Sequence, residues 1–344
     1  MRFIGSKTLL LDHISEIIES NISQQQNSFC DIFSGTTVVS KFFKNKYQII
    51  SNDIMYFSYV LQNATVKNNL QPNFPGLKTI GINDPIKYIN EFNVKIEDIK
   101  KEPFIYKNYS PNDFSDRKYF TNENALKIDF ARQLIEQWKI NKYINIDEYF
   151  YILASLIEAV PFVSNIAGTY GAYLKNWDKR AFLQLTLNNF DIDNNYKKNE
   201  SYNTDSNELI YKIKGDILYI DPPYNSRQYV PNYHILETIA KYDSPNIYGT
   251  TGLRPYKDVK SDYCIKNRVI NVFQNLIQNA KFKYIIVSYS TEGLMSENEI
   301  KSILLSVGEK DTLKIKKIPY RRYKHTKSTV NHNLNELLFF IKKS

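Results

Sequence analysis

Asp216-Ile217-Leu218-Tyr219-Ile220-Asp221-Pro222-Pro223-Tyr224 reads as a short apolar strand that carries an acidic residue to its end and stops there. The two prolines fix φ and offer no backbone N–H, so a strand ladder cannot continue through them. In an open sheet of parallel strands, ligands are taken at the carboxyl ends of strands, and 221–224 stands at such an end.

Moving outward, the same rhythm recurs on both sides. Upstream, Ser28-Phe29-Cys30-Asp31-Ile32-Phe33 is an apolar run that ends in Ser34-Gly35-Thr36-Thr37, a strand feeding a tight turn. Residues 38–44 then read as a helix, 47–51 as a second strand and 55–66 as a second helix; 8–20 carries the helical spacing of Leu9, Leu10, Ile14, Ile17 and Ile18. Downstream, helices are expected at 233–242, 265–280 and 297–305, a buried strand at 283–289, and a terminal antiparallel hairpin from 312–323 and 336–342. Strands alternating with helices imply an α/β fold built on a parallel sheet. Between about 70 and 182 the rhythm is lost, with Pro72, Pro75, Gly76 and Pro85 breaking its start and helices expected only at 125–139 and 146–159. Residues 183–206 are rich in Asn and Asp with little periodicity. The expected organisation is therefore one α/β domain from 1–69 and 183–344, with 70–182 inserted as a mainly helical region.

With 344 residues, the chain can bury a full core. Its 42% apolar and 24% charged residues are those of a globular protein, and no run reaches the roughly 18 apolar residues of a membrane span. The N-terminal residues lack the pattern of a secretory signal. Cys30 and Cys264 make neither a disulfide framework nor a metal spacing and fit reduced thiols, so a cytoplasmic setting is expected. The net charge of +9 is unevenly spread: 310–344 holds ten Lys and Arg against Asp311 and Glu336. Such a run suits a polyanion partner or, equally, a solvated strand face.

The chemistry of 221–224 is specific. An exocyclic amine on an aromatic base is a poor nucleophile because its lone pair is delocalised into the ring. A carboxylate (Asp221) beside a rigid carbonyl (Pro222) can accept both amine hydrogens and draw the nitrogen towards tetrahedral geometry. Pro222 and Pro223 hold these acceptors still, and Tyr224 offers a face for an extruded base. The plainer alternative is a strand ending in a Pro-Pro turn with a surface Tyr. Likewise, the small-residue turn after Asp31 allows close approach of a ligand to a helix start, and Asp53 after the second strand suits the two hydroxyls of a ribose or, alternatively, a helix cap.

Taken together these segments resemble the adenine-N6-specific DNA methyltransferases of restriction-modification systems, in the alpha arrangement. The family's Gly-Ser-Lys is matched by Gly5-Ser6-Lys7, and its Asp-x-Phe-x-Gly-x-Gly turn by Asp31-Ile32-Phe33-Ser34-Gly35-Thr36-Thr37. Thr37 stands there in place of the last glycine, and it fits if the backbone is already helical. The resemblance implies a Rossmann-like class I methyltransferase sheet that is mostly parallel, with the inserted region recognising the target. It also implies S-adenosyl-L-methionine held by Lys7, Asp31, Phe33, Ser34, Gly35, Asp53, Asp205 and Asp221. The catalytic set would be Asp221, Pro222, Pro223 and Tyr224. Asn225-Ser226-Arg227-Gln228-Tyr229, Asn232-Tyr233-His234 and the segment from Val163 to Lys175 resemble extended motifs of one modification-enzyme subgroup.

The implied partners are double-stranded DNA and a cognate restriction endonuclease acting on the same site, with no membrane, in a bacterial cytoplasm. Arg227, Lys175 and Arg180 are candidates for phosphates, and Asn165, Thr169 and Tyr170 for the extruded base or its orphaned partner, with a polar loop unconnected with DNA as a close alternative. His234 suits a helix position near DNA or in a packed network better than a general base. Arg321, Arg322, Lys324 and Lys327 are the phosphate candidates of the basic hairpin. Competing functions are cytosine-N4 methylation, adenine-N6 methylation of RNA, and a DNA-binding relative without catalysis, for which Thr37 is the one hint.

Overall fold

A computed structural model describes residues 7–319 and 334–344, which fall into two compact units. The first comprises residues 7–54, 197–228 and 260–344. Its seven strands are β1 (Ser28–Asp31), β2 (Gln48–Asn52), β3 (Glu200–Tyr202), β4 (Lys214–Ile220), β5 (Lys281–Ser290), β6 (Lys314–Pro319) and β7 (Asn335–Lys342). They form one sheet in the order β3-β2-β1-β4-β5-β7-β6. The first five in that order run parallel, whereas β7 is antiparallel to β5 and to β6. The parallel α/β sheet and the terminal antiparallel hairpin match the expected fold; 320–323 of the expected hairpin lies outside the described residues. β3 was not foreseen, because three residues are too few to show a period.

The alternation of side chains along a strand decides which residues reach which face. Cys30 and Ile32, Leu218 and Ile220, Val287 and Tyr289, and Leu337 and Phe339 all join one apolar core with the helices Val269–Asn279 and Glu297–Leu305. Their neighbours Asp31, Asp221 and Glu336 therefore project from the opposite face. On that side Phe29 stacks on Phe43 of the helix Val38–Lys44, with centroids 4.5 Å apart, and Tyr219 lies beyond it. β1 pairs with β2 on one side and β4 on the other, and the chain leaves β1 towards β2. The carboxyl ends of β1 and β4 thus flank a topological switch point, the usual crevice of such sheets.

The second unit comprises residues 55–196 and 229–259 and is mainly helical. Helix Ile146–Ala159 is buried at every residue from Glu148 to Ile157, as expected of a central helix that is packed all round. Asn145 and Glu148 close its start as a reciprocal capping box. Two features carry the unit's boundary beyond the expected 70–182. Glu237, on the helix Tyr229–Lys241, accepts the N–H groups of Tyr56 and Phe57 at 3.1 and 3.0 Å, which ties the helix Tyr56–Gln62 to this unit. The Asn-rich stretch after 182 runs back along the central helix: Ser155 donates to the carbonyl of Asn188 at 2.7 Å, and Tyr151 stacks on Phe190 at 4.3 Å. Both tethers are long-range and left no periodic trace. Among the described residues no helix is long and apolar enough to cross a membrane.

Candidate active site

The turn after β1 is shaped by backbone conformation. Gly35 has φ +49° and Thr37 φ +65°, both left-handed, and Thr37 precedes the first residue of the helix Val38–Lys44. The right-handed helix begins only after Thr37. Thr37 adopts the conformation a glycine would take without strain, and its N–H donates to the carbonyl of Ser34 at 2.7 Å.

Asp53 does not cap a helix. Its Oδ2 accepts the N–H of Gly35 at 2.9 Å and so braces the turn from the end of β2. Asn52, which the motif reading passed over, is buried and central. Its Nδ2 donates to the carbonyls of Ile32 and Thr204, each at 3.1 Å, and its Oδ1 accepts the N–H of Thr204 at 3.2 Å. Asn203 adds donations to the carbonyls of Asp53 and Ile54. These bonds bring the loop with Asp205 to the turns that carry Phe33, Ser34, Gly35 and Asp53. Asp205 accepts from the N–H of Asn207 at 2.7 Å and starts the short helix Ser206–Leu209, and Phe33 meets the edge of Tyr263.

Asp31 is fully buried beneath the turn. Its Oδ2 accepts from Ser40 at 2.7 Å, while Oδ1 has no hydrogen-bond partner. Burial pushes its carboxyl up to about 7, with Asp221 and Asp53 adding to the effect and Ser40 opposing it. A buried carboxylate oxygen without a donor is costly, so the place suits a ligand that brings donors.

Asp221 directly follows β4 and keeps 19% of its side-chain exposure. Its Oδ1 lies 3.1 Å from Lys7 Nζ, and the same ammonium lies 3.4 Å from Glu336 Oε2. Burial raises the Asp221 carboxyl to about 6; Lys7 opposes that rise and Glu336 adds to it. Burial works against the charge of Lys7, but the two carboxylates outweigh it and hold the ammonium above the ordinary lysine range. Lys7, expected as a cofactor ligand, is thus ion-paired to the catalytic candidate. Pro222 is buried. The carbonyl of Tyr224 accepts the N–H of Leu294 at 2.8 Å, and its half-buried ring meets the edge of Tyr289 with Lys7 Nζ 6.0 Å from its centroid.

The DNA candidates divide by exposure. Thr169 is half-buried, Lys175 and Arg227 are exposed, and Arg180 is held by both oxygens of Asp178. Asn165, Tyr170 and His234 are buried within the helical unit. Asn165 donates to the carbonyls of Lys118 and Leu174 and accepts the N–H of Asp178. The hydroxyls of Tyr170 and Ser164 share a 2.9 Å hydrogen bond. His234 Nε2 donates to the carbonyl of Tyr170 at 2.9 Å, and burial lowers the imidazole to about 4, so it is neutral. These three hold the 163–178 loop in shape. Arg321, Arg322, Lys324 and Lys327 lie outside the described residues.

The sheet order, the acidic turns at its carboxyl edge and the Asp-Pro-Pro-Tyr strand end define a methyltransferase of the Rossmann-like type. The chain belongs to the D12 class N6 adenine-specific DNA methyltransferases, whose family model matches residues 3–303. It is 54% identical over 343 residues to "Type II methyltransferase M.FokI" of Planomicrobium okeanokoites, covering 100% of this chain and 53% of that protein. With "Modification methylase StsI" of Streptococcus sanguinis it shares 43% identity, again over 100% of this chain and 52% of the relative. With "Type II methyltransferase M.NlaIII" of Neisseria lactamica the identity is 40%, over 99% of this chain and 98% of the relative. The chain therefore spans about half the length of the first two relatives and nearly all of the third.

Proposed function

We propose that this chain methylates the exocyclic amine of adenine in double-stranded DNA, as the modification enzyme of a restriction system, using S-adenosyl-L-methionine. The observation that carries the reading is the placement of Asp221 and Pro222 at the end of β4, beside the β1 turn that Asp53 braces. Asp31, Asp53 and Asp205 would hold the cofactor through its donors, with Phe33, Ser34 and Gly35 forming the turn against it. When bound, S-adenosyl-L-methionine supplies an electrophilic methyl group.

The residues of the chain make the amine reactive. Asp221 and the carbonyl of Pro222 accept the two amine hydrogens, which frees the nitrogen lone pair from the ring. Tyr224 stacks on the extruded base and sets its plane. Asp221, with its raised proton affinity, is suited to take the proton that the amine sheds. Thr169, Lys175, Arg227, Arg321, Arg322 and Lys324 are the proposed DNA contacts, and the inserted 70–182 region is proposed to read the target. A cognate endonuclease and a cytoplasmic setting follow from the restriction-modification reading.

The test is transfer of labelled methyl from S-adenosyl-L-methionine to duplex DNA and to RNA, with digestion to nucleosides. Label is expected in N6-methyladenine of DNA, and Asp221→Ala should abolish it with the fold retained by circular dichroism. Undiminished transfer by Asp221→Ala would overturn the mechanism; label in RNA or in N4-methylcytosine would overturn the substrate.

A further inference from the structure

The ion pair between Lys7 and Asp221 poses a chemical difficulty. An ammonium bonded to a carboxylate stabilises its charge but occupies its lone pairs, and Asp221 must present those lone pairs to an incoming amine. The second carboxylate on Lys7 addresses this. Glu336 stands on β7 opposite Ser290 of β5, on the face of the sheet that also bears Asp31 and Asp221. The start of β7 is pinned to Thr291: the N–H and hydroxyl of Thr291 donate to the carbonyl of Asn335 at 3.0 and 3.2 Å, and Asn335 donates its N–H to Thr291 Oγ1 at 3.1 Å. The Glu336 side chain is buried, 7% exposed, with Lys7 at 4%. Such a buried acid on a terminal strand has no packing reason to be there, since Leu337, Leu338 and Phe339 beside it are apolar.

We infer that Glu336 is a positioning residue for Asp221: by sharing the Lys7 ammonium, it keeps that cation from neutralising Asp221 outright and leaves the carboxylate available as an acceptor. The inference rests on the reading of Asp221 as the group that receives the adenine amine. Two carboxylates around one ammonium carry a net negative charge, which favours a strong acceptor at Asp221. Among the described residues, the other groups that face this centre are Asp31 on β1, which adds negative charge when ionised, the Tyr219 hydroxyl, which burial keeps neutral, and Tyr224. Replacing Glu336 by Gln removes a negative charge near Asp221, so Asp221 binds its proton less tightly and pairs one-to-one with Lys7. Replacing Lys7 by Gln removes the opposing cation and acts in the reverse sense.

The experiment measures single-turnover methyl transfer to duplex DNA against pH for the native chain, Glu336→Gln, Glu336→Asp and Lys7→Gln. Alongside it, the Asp221 carboxyl is titrated by carbon-13 NMR in the substrate-free chain, assigned with Asp221→Asn. Glu336→Gln is expected to lower the plateau rate about tenfold. It should also move the acid limb and the carboxyl titration down by about one pH unit. Glu336→Asp should restore both in large part, and Lys7→Gln should move the titration upward. A Glu336→Gln rate loss with an unmoved limb would assign a merely structural role and overturn the inference, as would native rates. If Glu336→Gln fails to fold, an unmoved titration in Lys7→Gln overturns the coupling. If the native chain transfers no methyl to adenine, the proposed function fails on its own terms, while the direction of the carboxyl titration still decides whether Glu336 controls Asp221.

Discussion

Asp221 is the residue on which the proposed chemistry turns, and its protonation gives a direct reading of that proposal. The carboxyl is raised to about 6 by burial, with Glu336 adding and Lys7 opposing. As an acceptor of amine hydrogens it must be ionised, so methyl transfer is expected to fall as pH drops through about 6 and to level off above it. A single-turnover pH profile checks this, and a limb near the ordinary Asp value of about 4 would contradict it. Asp31 and His234 show the same physics with different consequences. Burial lifts Asp31 to about 7 beside an oxygen with no partner, which marks a place for donors. Burial lowers His234 to about 4 where its Nε2–H already has a carbonyl, which marks a structural group. Sequence identified all three residues, but only the fold supplies the surroundings that set them apart.

At the scale of elements, carboxylates on one segment close the starts of helices on another. Glu237 receives the N–H groups of Tyr56 and Phe57 and is itself held by Lys241 at 2.9 Å. Asp129 receives those of Ile105 and Tyr106 at 2.9 and 2.8 Å. Glu148 receives that of Phe74. The first N–H groups of a helix have no partner within it, so each such acid anchors a helix to its neighbour. Glu237→Ala should leave two of these donors without an acceptor and is expected to cost about 2–3 kcal/mol of stability. Urea denaturation checks the value, and a loss below about 0.5 kcal/mol would show that water replaces the carboxylate. The helices Val38–Lys44, Ile146–Ala159 and Glu297–Leu305 were legible to the residue, because their apolar spacing is local. β3 and the short helices Pro75–Lys78 and Phe104–Tyr109 were not, being too short for a period to show.

For the whole molecule, the +9 charge and the basic run near the C-terminus bear on how it would hold a polyanion. If Arg321, Arg322, Lys324 and Lys327 meet phosphates, neutralising all four should lower the slope of log affinity against log salt by about one unit for each phosphate no longer neutralised. Fluorescence anisotropy with duplex DNA at several salt concentrations measures it. An unchanged slope would assign the run to a solvated strand face. At the same scale, reading by segments and compactness divide the chain differently. Boundaries drawn at 69 and 182 followed the loss of strand-helix alternation, whereas the compact units divide after residues 54, 196, 228 and 259. Long-range bonds such as those of Glu237 and Ser155 decide membership of a unit, and they leave no mark on neighbouring residues.

Sequence alone determined the α/β class, the Asp-Pro-Pro-Tyr strand end and the acids of the β1 and β2 turns. Each of these depends on residues close together in the chain, where period, proline and glycine act locally. Tertiary structure alone decided what surrounds the proposed reaction centre. Lys7 and Glu336 stand 329 positions apart and meet at one ammonium because strand order and side-chain parity bring β4 and β7 to the same face. Glu336 appeared in the sequence only as an acid in a basic run; a β-sheet made it a neighbour of Asp221. Asn52 likewise gained its place only when β2 and the loop before β4 were laid side by side. Pairings across a sheet depend on topology, and topology depends on the burial of the whole chain rather than on any one segment.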